Sequence, residues 1–321
     1  MTTKNAMHRR AQEYLDERRR LGYALSTTGA RLLAFARFAD KVGHKGPLTL
    51  KLIVDWAKGQ ATRPTPITWA RRVDIIRPFA KFCARYEPKT AIPPIDMFGP
   101  AYRRLTPHIY SDEEIADLLA AAGRLRPAGT LRPATYRTLF GLIAATGLRR
   151  SEALKLLCTD FDAAQNRLTI RETKLRKSRH VYLHPTVTEQ LVRYGKLRDR
   201  FTGKVPSKRL FVTKSGTALS EVTVQKVFER LRAELGWVAR GGHGAPRIHD
   251  LRHTFICKRV KLWQRDGADI DHAMITLSTY VGHVRVSDTY WYLTAVPDLM
   301  AVTAERFEQY AAKKATEACN A

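Results

Sequence analysis

The sequence predicts a mainly α-helical protein of two domains, the second of which is α+β and contains a small β-hairpin or sheet. Apolar residues recur at three- and four-residue spacing through most of the 321 residues, as expected of amphipathic helices. Prolines cluster between Pro88 and Pro107, where a helix cannot continue. The apolar period changes to two between Arg167 and His184, which places the predicted β-structure there.

Four predicted helices make up the first domain, separated by glycine, proline or Ser/Thr clusters. They cover Ala6 to Gly22, Ser26 to Val42, Leu48 to Lys58 and Thr68 to Tyr86. The proline-rich stretch after Tyr86 is typical of an interdomain linker, so we place the boundary near residue 105. The domains are therefore expected at 1–105 and 106–321.

The second domain opens with Ser111 and Glu114 at the spacing of a capping box, just before an apolar run. The stretches RLTIRE and RHVYLH alternate like strands around the polar TKLRKS, so a β-hairpin with lysines at its turn is predicted. RLFVT, at 209–213, is a further strand candidate. Later helices are predicted at Thr223 to Leu235, Asp250 to Trp263, His272 to Val281 and Leu299 to Lys313.

The charge balance indicates a polyanionic partner. Lys and Arg total 56 against 30 Asp and Glu, which gives a formal charge of +26 and an isoelectric point near 10.3. Binding to nucleic acid releases condensed counterions, so a strongly basic surface is the expected footprint of such a partner. A basic surface that only keeps the protein in solution is the alternative.

Cysteine spacing and hydropathy indicate the cellular compartment in which the protein is expected. Cys83, Cys158, Cys257 and Cys319 are scattered and form no C-x-x-C pair, which argues against a disulfide framework and a zinc ribbon. The amino terminus lacks the apolar core of a signal peptide, and no stretch approaches the roughly 20 apolar residues that span a bilayer. A soluble protein of the reducing cytoplasm, without membrane contact, is expected.

Four separated clusters carry the residues suited to chemistry. They are ATGLRRSEALKL from Ala145, TKLRKSRHVYL from Thr173, HDLRHTF from His249 and VGHVRVSDTYWYLT from Val281. In order and spacing they resemble the boxes of the tyrosine recombinase, or phage integrase, family. The resemblance covers roughly residues 111–294 and implies an integrase-like fold, in which a helical core-binding domain precedes the catalytic domain.

The resemblance also implies a set of catalytic residues, carried over box by box. The family's set comprises two arginines, a hairpin lysine, two histidines, a nucleophilic tyrosine and a supporting acid. In this sequence they correspond, in that order, to Arg149 and Arg252, Lys174, His249 and His283, Tyr292, and Glu152. The implied enzyme cleaves and rejoins DNA site-specifically through a 3′-phosphotyrosyl link, without ATP, metal or other cofactor. Integration, excision or transposition of a mobile element is the expected role, in the cytoplasm on the nucleoid.

Chemistry accounts for these residue types. A phosphodiester under attack gains negative charge, and the planar guanidinium groups of Arg149 and Arg252 can each grip two oxygens. A tyrosine with a pKa near 10 is only about one part in a thousand ionised at neutral pH, so His249 is the predicted proton acceptor. His283 is expected to donate a hydrogen bond to a non-bridging oxygen. The resemblance gives Lys174 the role of general acid toward the departing 5′ hydroxyl.

Two of these assignments have competitors within their own cluster. Lys177 competes with Lys174 because hairpin turns vary in length, and TKLRK departs from the family's more usual glycine-lysine-glycine. Tyr290 is the reserve for Tyr292, because both belong to an aromatic run that could equally pack in a core.

The remaining alternatives concern the histidines and the arginine pair. His249 and His253, at i and i+4, have the spacing of a zinc pair, but no third ligand is evident, and His253 is otherwise interpreted as a packing histidine. Arg149 and Glu152 could form an ordinary helical ion pair. Arg150 is interpreted as a DNA-backbone or surface residue.

The resemblance implies double-stranded DNA as the partner and a homotetramer on that DNA, and it allows for accessory recombination proteins. The basic helices of the first domain would then grip the duplex opposite the catalytic domain. The tail from Pro297 would form a helix that packs on its own domain or on a neighbouring protomer. Two other functions are kept as alternatives: a type IB topoisomerase with the same chemistry, and a DNA-binding accessory protein that has lost catalysis.

Overall fold

The computed structural model describes residues 6–59, 64–171, 178–203 and 208–295, with the backbone alone at 293–295, and residue 308. The chain divides into two compact units, Met1–Arg104 and Leu105–Ala321. The described residues are mainly helical, as predicted, and their strands all lie in the second unit. No helix in these ranges has both the length and the apolar character needed to span a membrane.

The first unit contains four described helices: α1 (Ala6–Arg20), α2 (Ser26–Lys41), α3 (Leu50–Gly59) and α4 (Pro66–Cys83). Helix α4 begins before the predicted Thr68 because the Thr65 side chain caps it and Pro66 occupies its first turn, where no amide donor is needed. The apolar faces of the helices meet in one core, which includes Leu15, Phe35, Ile53 and Phe79.

The second unit is organised around a central buried helix. Its described helices are α5 (Asp112–Gly123), α6 (Leu131–Thr146), α7 (Arg150–Lys155), α8 (Pro185–Thr202), α9 (Glu221–Glu234), α10 (Ile248–Asp266), α11 (Ile270–Val281) and α12 (Ser287–Ala295). Helix α6 packs against α5, α8 and α10. Helices α9, α10 and α11 each begin two residues before the predicted start, directly after Ser220, Arg247 and Asp269.

The predicted capping box at the start of α5 is confirmed. Ser111 Oγ accepts a hydrogen bond from the Glu114 amide at 3.1 Å, and the Glu114 carboxylate accepts one from the Ser111 amide at 2.9 Å. Arg240 donates to the same carboxylate at 2.6 Å. The cap therefore satisfies two helix-end amides and also ties α5 to the segment that precedes α10.

The predicted hairpin is present as β2 (Arg167–Ile170) and β3 (Arg179–Tyr182), which pair antiparallel with Leu168 opposite Val181. A two-residue strand, β1 (Phe161–Asp162), pairs with the other edge of β2 and is too short to show a sequence period. The order of the sheet is β1-β2-β3. Residues 172–177, where the hairpin turn is predicted, lie outside the described residues.

The prediction of a strand at 209–213 is wrong. Among the described residues this segment forms two isolated bridges, one to Leu157 and one to Ala218. Residues 210–212 are all buried, so the segment fills the core instead of alternating between core and solvent. The chain beyond Leu157 turns into a 3-10 helix at Cys158–Asp160, which ends the pairing after one bridge.

Two helices that lead into the candidate site end at a glycine in the left-handed conformation. Gly147 follows α6 with φ 65°, and Gly282 follows α11 with φ 74°. A Cβ on Gly147 would lie 2.6 Å from the Phe255 ring, and one on Gly282 would lie 2.6 Å from the Arg179 guanidinium. Both positions therefore require glycine, and both helices stop where the site begins.

Candidate active site

Arg149 stands between α6 and α7, at the N-cap of α7. Its amide and its guanidinium both donate to the Glu152 carboxylate, at 3.0 and 2.8 Å, and its Nη2 donates to the Gly282 carbonyl oxygen at 2.7 Å. Because Gly282 follows the last turn of α11, the guanidinium lies at the negative end of a helix dipole. A third of the side chain, 33%, stays exposed, so Arg149 can still reach a ligand.

Arg179, at the start of β3, is a site residue that sequence reasoning misses. Its guanidinium donates to both Glu152 carboxylate oxygens, at 3.0 and 2.9 Å, and to the Tyr280 carbonyl oxygen at 2.8 Å. Burial alone would raise the pKa of Glu152, but the hydrogen bonds and charges of Arg179 and Arg149 lower it to about 2. Glu152 is therefore ionised at neutral pH and holds two arginines at once. Nothing in the sequence distinguishes Arg179 from a surface cation.

Arg252 is buried on α10, with 1% exposure. Its Nη1 donates to the Gly147 carbonyl oxygen at 2.7 Å, whereas its Nη2 is buried and has no hydrogen-bond partner in the described part of the chain. Burial first, and then the charge of Arg149, lowers the pKa of Arg252 to about 9, so the guanidinium is still charged at neutral pH. A buried cation with an unsatisfied N–H is a ready-made anion site, because leaving that donor unpaired is costly.

His249 lies three residues before Arg252 on α10, so the two side chains share one face of the helix. The His249 side chain is exposed in a cleft, and desolvation by the neighbouring protein, followed by the charges of Arg252 and Arg247, lowers its pKa to about 4. The imidazole is therefore neutral at pH 7, and one ring nitrogen can donate a hydrogen bond while the other accepts one.

An open cleft of about 380 Å³ lies beside Arg149 and His249. Arg150 and Arg247 also line it, and each of these two is paired with a carboxylate, at 2.9 and 2.6 Å. Three arginines and one acidic residue, Glu221, line the cleft, so positive charges outnumber negative ones among its lining residues, which suits an anionic chain such as a phosphodiester backbone.

His283 follows Gly282, and its Nδ1 lies 2.7 Å from the Thr289 hydroxyl. Its ring is nearly parallel to that of Tyr292, with an interplanar angle of 6° and a centroid separation of 6.4 Å. Burial first, and then the charges of Arg252 and Arg149, lowers the pKa of His283 to about 3. A second neutral imidazole therefore stacks near the phenol and feels the charges of both arginines.

Tyr292 is buried on α12, with 3% exposure, in an apolar cluster with residues of α10 and α11. Its hydroxyl lies 2.5 Å from Nδ1 of His253. The His253 ring also meets the His249 ring edge-on, with centroids 4.6 Å apart. The sequence predicts a packing role for His253 and proton transfer by His249. In the structure, His253, one turn further along α10, is the histidine that contacts the phenol. The i, i+4 histidine pair was the available signal.

The alternative residues occupy other places. The Tyr290 hydroxyl donates to Asp271 of α11 at 2.6 Å, so it is already engaged in a hydrogen bond. Lys174 and Lys177 both lie outside the described residues, as does the helix predicted at 299–313. Within the described ranges, no group of three or more His, Cys, Asp or Glu side chains is arranged to hold a metal ion.

Known proteins resemble this chain over most of its length. The model of the phage integrase family matches residues 110–297. A putative integrase/recombinase of Sinorhizobium fredii, y4rB, is 38% identical over 306 residues, which covers 93% of this chain and 96% of that relative.

Two solved structures share the fold. XerH site-specific recombinase, in a post-cleavage complex with palindromic difH substrate, is 20% identical with a TM-score of 0.64, covering 88% of this chain and 80% of that one. A lambda integrase in a tetramer bound to a Holliday junction is 15% identical with a TM-score of 0.60, covering 89% and 78%. The family match spans more than half of the sequence, and the chain therefore belongs to the phage integrase family, the tyrosine recombinases.

Proposed function

We propose that the chain is a site-specific recombinase that cleaves and rejoins DNA through a 3′-phosphotyrosyl link to Tyr292, for integration, excision or transposition of a mobile element. One observation carries the proposal. The buried Nη2 of Arg252 lacks a hydrogen-bond partner among the described residues, and it belongs to the same cluster as Arg149, His249, His283 and the phenol. A scissile phosphate supplies the anion that such a cluster needs.

The two arginines act as the clamp on the phosphate. Each is held from one side by a glycine carbonyl, at 2.7 Å in both cases, so the guanidinium planes are oriented before DNA arrives. Guanidinium groups fixed in this way stabilise the extra charge of a pentacovalent phosphorus without reorganisation during the reaction. His249 and His283, both neutral, add hydrogen bonds to the non-bridging oxygens.

Bond formation and bond breaking balance without an external energy source. The Tyr292 oxygen forms a bond to phosphorus as the bond from phosphorus to the 5′ oxygen breaks. The phenol proton passes to a neutral histidine of α10, and Lys174 gives a proton to the departing 5′ oxygen. Attack by a 5′ hydroxyl on the phosphotyrosine reverses each transfer, so rejoining consumes no ATP.

We assign the two units to the two halves of a DNA clamp, with boundaries at 1–105 and 106–321. In the first unit Lys and Arg outnumber Asp and Glu by more than two to one, which supports contact with duplex phosphates. The lambda integrase relative was solved as a tetramer on a Holliday junction, which supports a homotetramer on double-stranded DNA here, with accessory recombination proteins as further partners. Such an enzyme works on the nucleoid.

A nicked suicide duplex that carries the junctions flanking the gene tests the proposal. The nick lets the 5′ fragment diffuse away, so the covalent intermediate accumulates as a denaturant-resistant adduct. Peptide mass mapping is expected to place the DNA on Tyr292. Tight binding to several candidate junctions without an adduct would instead favour the accessory DNA-binding protein. Relaxation of supercoils of any sequence without recombinant products would favour the topoisomerase.

A further inference from the structure

The Tyr292 hydroxyl faces a histidine that is absent from the residue set carried over from the family. His253 Nδ1 lies 2.5 Å from the Tyr292 oxygen, and the two rings are 5.4 Å apart at an angle of 45°. Sequence order places His253 directly after Arg252 and one helical turn after His249. One helix therefore presents a guanidinium and an imidazole to the phosphate site and a second imidazole to the nucleophile.

The surroundings of His253 keep its imidazole neutral. Its ring packs against His249 and Trp291, with centroids 4.6 and 6.3 Å away, beside the apolar cluster that holds Tyr292. Burial is the main reason that the pKa of His253 is lowered, to about 2. A neutral imidazole whose Nε2 carries the proton presents a bare Nδ1 lone pair to the phenol O–H.

After burial, the ionisable groups that lower this pKa most belong to the same site. His249, Arg247 and Arg252 lie on or next to α10, and His283 follows α11. The two arginines oppose a positive charge at His253 in the free protein. A bound phosphate brings a compensating negative charge, which grows as phosphorus becomes pentacovalent. Protonation of His253 therefore costs less free energy when cleavage occurs.

We propose that His253 is a catalytic residue of strand cleavage, which orients the Tyr292 hydroxyl and accepts its proton through Nδ1. The proposal rests on the proposed function of Tyr292 as nucleophile. In the step, the Tyr292 oxygen bonds to phosphorus, the 5′ oxygen leaves, and the phenol proton moves to Nδ1 of His253. His249, on the preceding turn, is then free to bind the phosphate oxygens.

The test compares full-length wild type with His253→Asn and His249→Asn in single-turnover cleavage of the suicide duplex, from pH 6.5 to 9.5. Asparagine can still accept a hydrogen bond but cannot take a proton. Loss of a general base typically costs about 10²- to 10⁴-fold, so His253→Asn is expected to be slower by at least about 100-fold at pH 7. Its rate should then rise about tenfold per pH unit, because the phenol must ionise unaided.

His249→Asn serves as the matched control. It is expected to lower the rate by a similar factor at every pH, because it weakens phosphate binding and leaves the proton acceptor in place. A His253→Asn variant that cleaves at the wild-type rate at pH 7, or that loses the same factor at every pH, overturns the proposal. If that variant does not fold, His253→Gln is measured on the same substrate and judged by the same two outcomes. A wild type that forms no adduct at any pH overturns the proposed function itself.

Discussion

Arg149 donates from Nη2 to the carbonyl oxygen of Gly282 at 2.7 Å, across 133 residues of sequence. Arg252 makes the equivalent contact with the carbonyl oxygen of Gly147, also at 2.7 Å. Each glycine ends a helix in the left-handed conformation, so each carbonyl lies at the negative end of a helix dipole. The proposed phosphate clamp is therefore fixed by backbone atoms of two helix ends, and its orientation precedes DNA binding.

Arg252→Lys is expected to reduce cleavage far more than DNA binding. A lysine lacks the planar fork that donates to the Gly147 carbonyl from one nitrogen and to the phosphate from the other, so the cleavage rate should fall by about 10²- to 10³-fold. Single-turnover cleavage and gel-shift binding measure the two effects. Arg150→Lys is the matched control, because Arg150 pairs with Glu221 at 2.9 Å, and it should stay within a few-fold of wild type. Equal losses in both variants would contradict the clamp.

Gly147→Ala is expected to destabilise the second unit. A left-handed φ of 65° costs a non-glycine residue roughly 1–2 kcal/mol, and the contact of the new Cβ with the Phe255 ring at 2.6 Å adds to this. Urea unfolding gives the change in free energy. Gly195→Ala, inside α8 with no neighbouring atom within 4 Å of its Cβ, should instead stabilise by about 0.5–1 kcal/mol. The same sign for both substitutions would refute this explanation.

Tyr292→Phe is expected to abolish the covalent adduct and to leave DNA affinity within a few-fold of wild type. The substitution removes the nucleophilic oxygen and retains the ring that packs in the apolar cluster. Tyr290→Phe is the control, because its hydroxyl donates to Asp271 at 2.6 Å. Adduct formation by Tyr292→Phe, or its loss only in Tyr290→Phe, would move the nucleophile to Tyr290.

Lys174→Ala is expected to slow cleavage of normal DNA and to be rescued by a substrate with sulfur at the bridging 5′ position. A thiolate leaves without a proton, so the general acid becomes dispensable for that substrate. The loss on normal DNA should be at least about 100-fold, within the usual range for general acids. Lys177→Ala should behave as wild type on both substrates. If the rescue instead appears in Lys177→Ala, the acid is Lys177.

Two partly buried histidines, His253 and His283, make stability depend on pH. Burial chiefly lowers the pKa values of His253 and His283 to about 2 and 3, whereas an unfolded histidine titrates near 6.5. Below about pH 6.5 the unfolded chain therefore binds more protons than the folded one, and stability falls as the pH falls. From pH 7.5 to 5.5 each histidine should account for a loss of about 1 kcal/mol.

Urea unfolding at several pH values measures this slope. His283→Gln removes one titrating imidazole, so its free energy of unfolding should fall less steeply between pH 6.5 and 5.5 than that of wild type. An unchanged slope in this variant would mean that His283 is protonated in the folded state.

Sequence patterns predicted most of the secondary structure in the described residues. Period and capping signals predicted the four helices of the first unit and α5, α9, α10 and α11 of the second, and the predicted capping box at Ser111 is confirmed at 3.1 and 2.9 Å. They did not predict α12, which carries Tyr292. They failed at 209–213, because three consecutive buried residues look like a strand whether or not a partner strand is available. They also failed for β1, whose two residues are too few to show a period.

The sequence by itself determined the family, because the boxes retain their residue types and order wherever the chain folds. It also predicted a set of site residues, which omits Arg179 and the contact of His253 with the phenol. Which atoms meet was decided by the tertiary structure alone. The contacts of Arg179 with Glu152, of Arg149 with Gly282 and of His253 with Tyr292 join segments 27, 133 and 39 residues apart. Hydrogen bonds depend on distances of a few tenths of an ångström, which packing of α10, α11 and α12 sets and linear spacing does not encode.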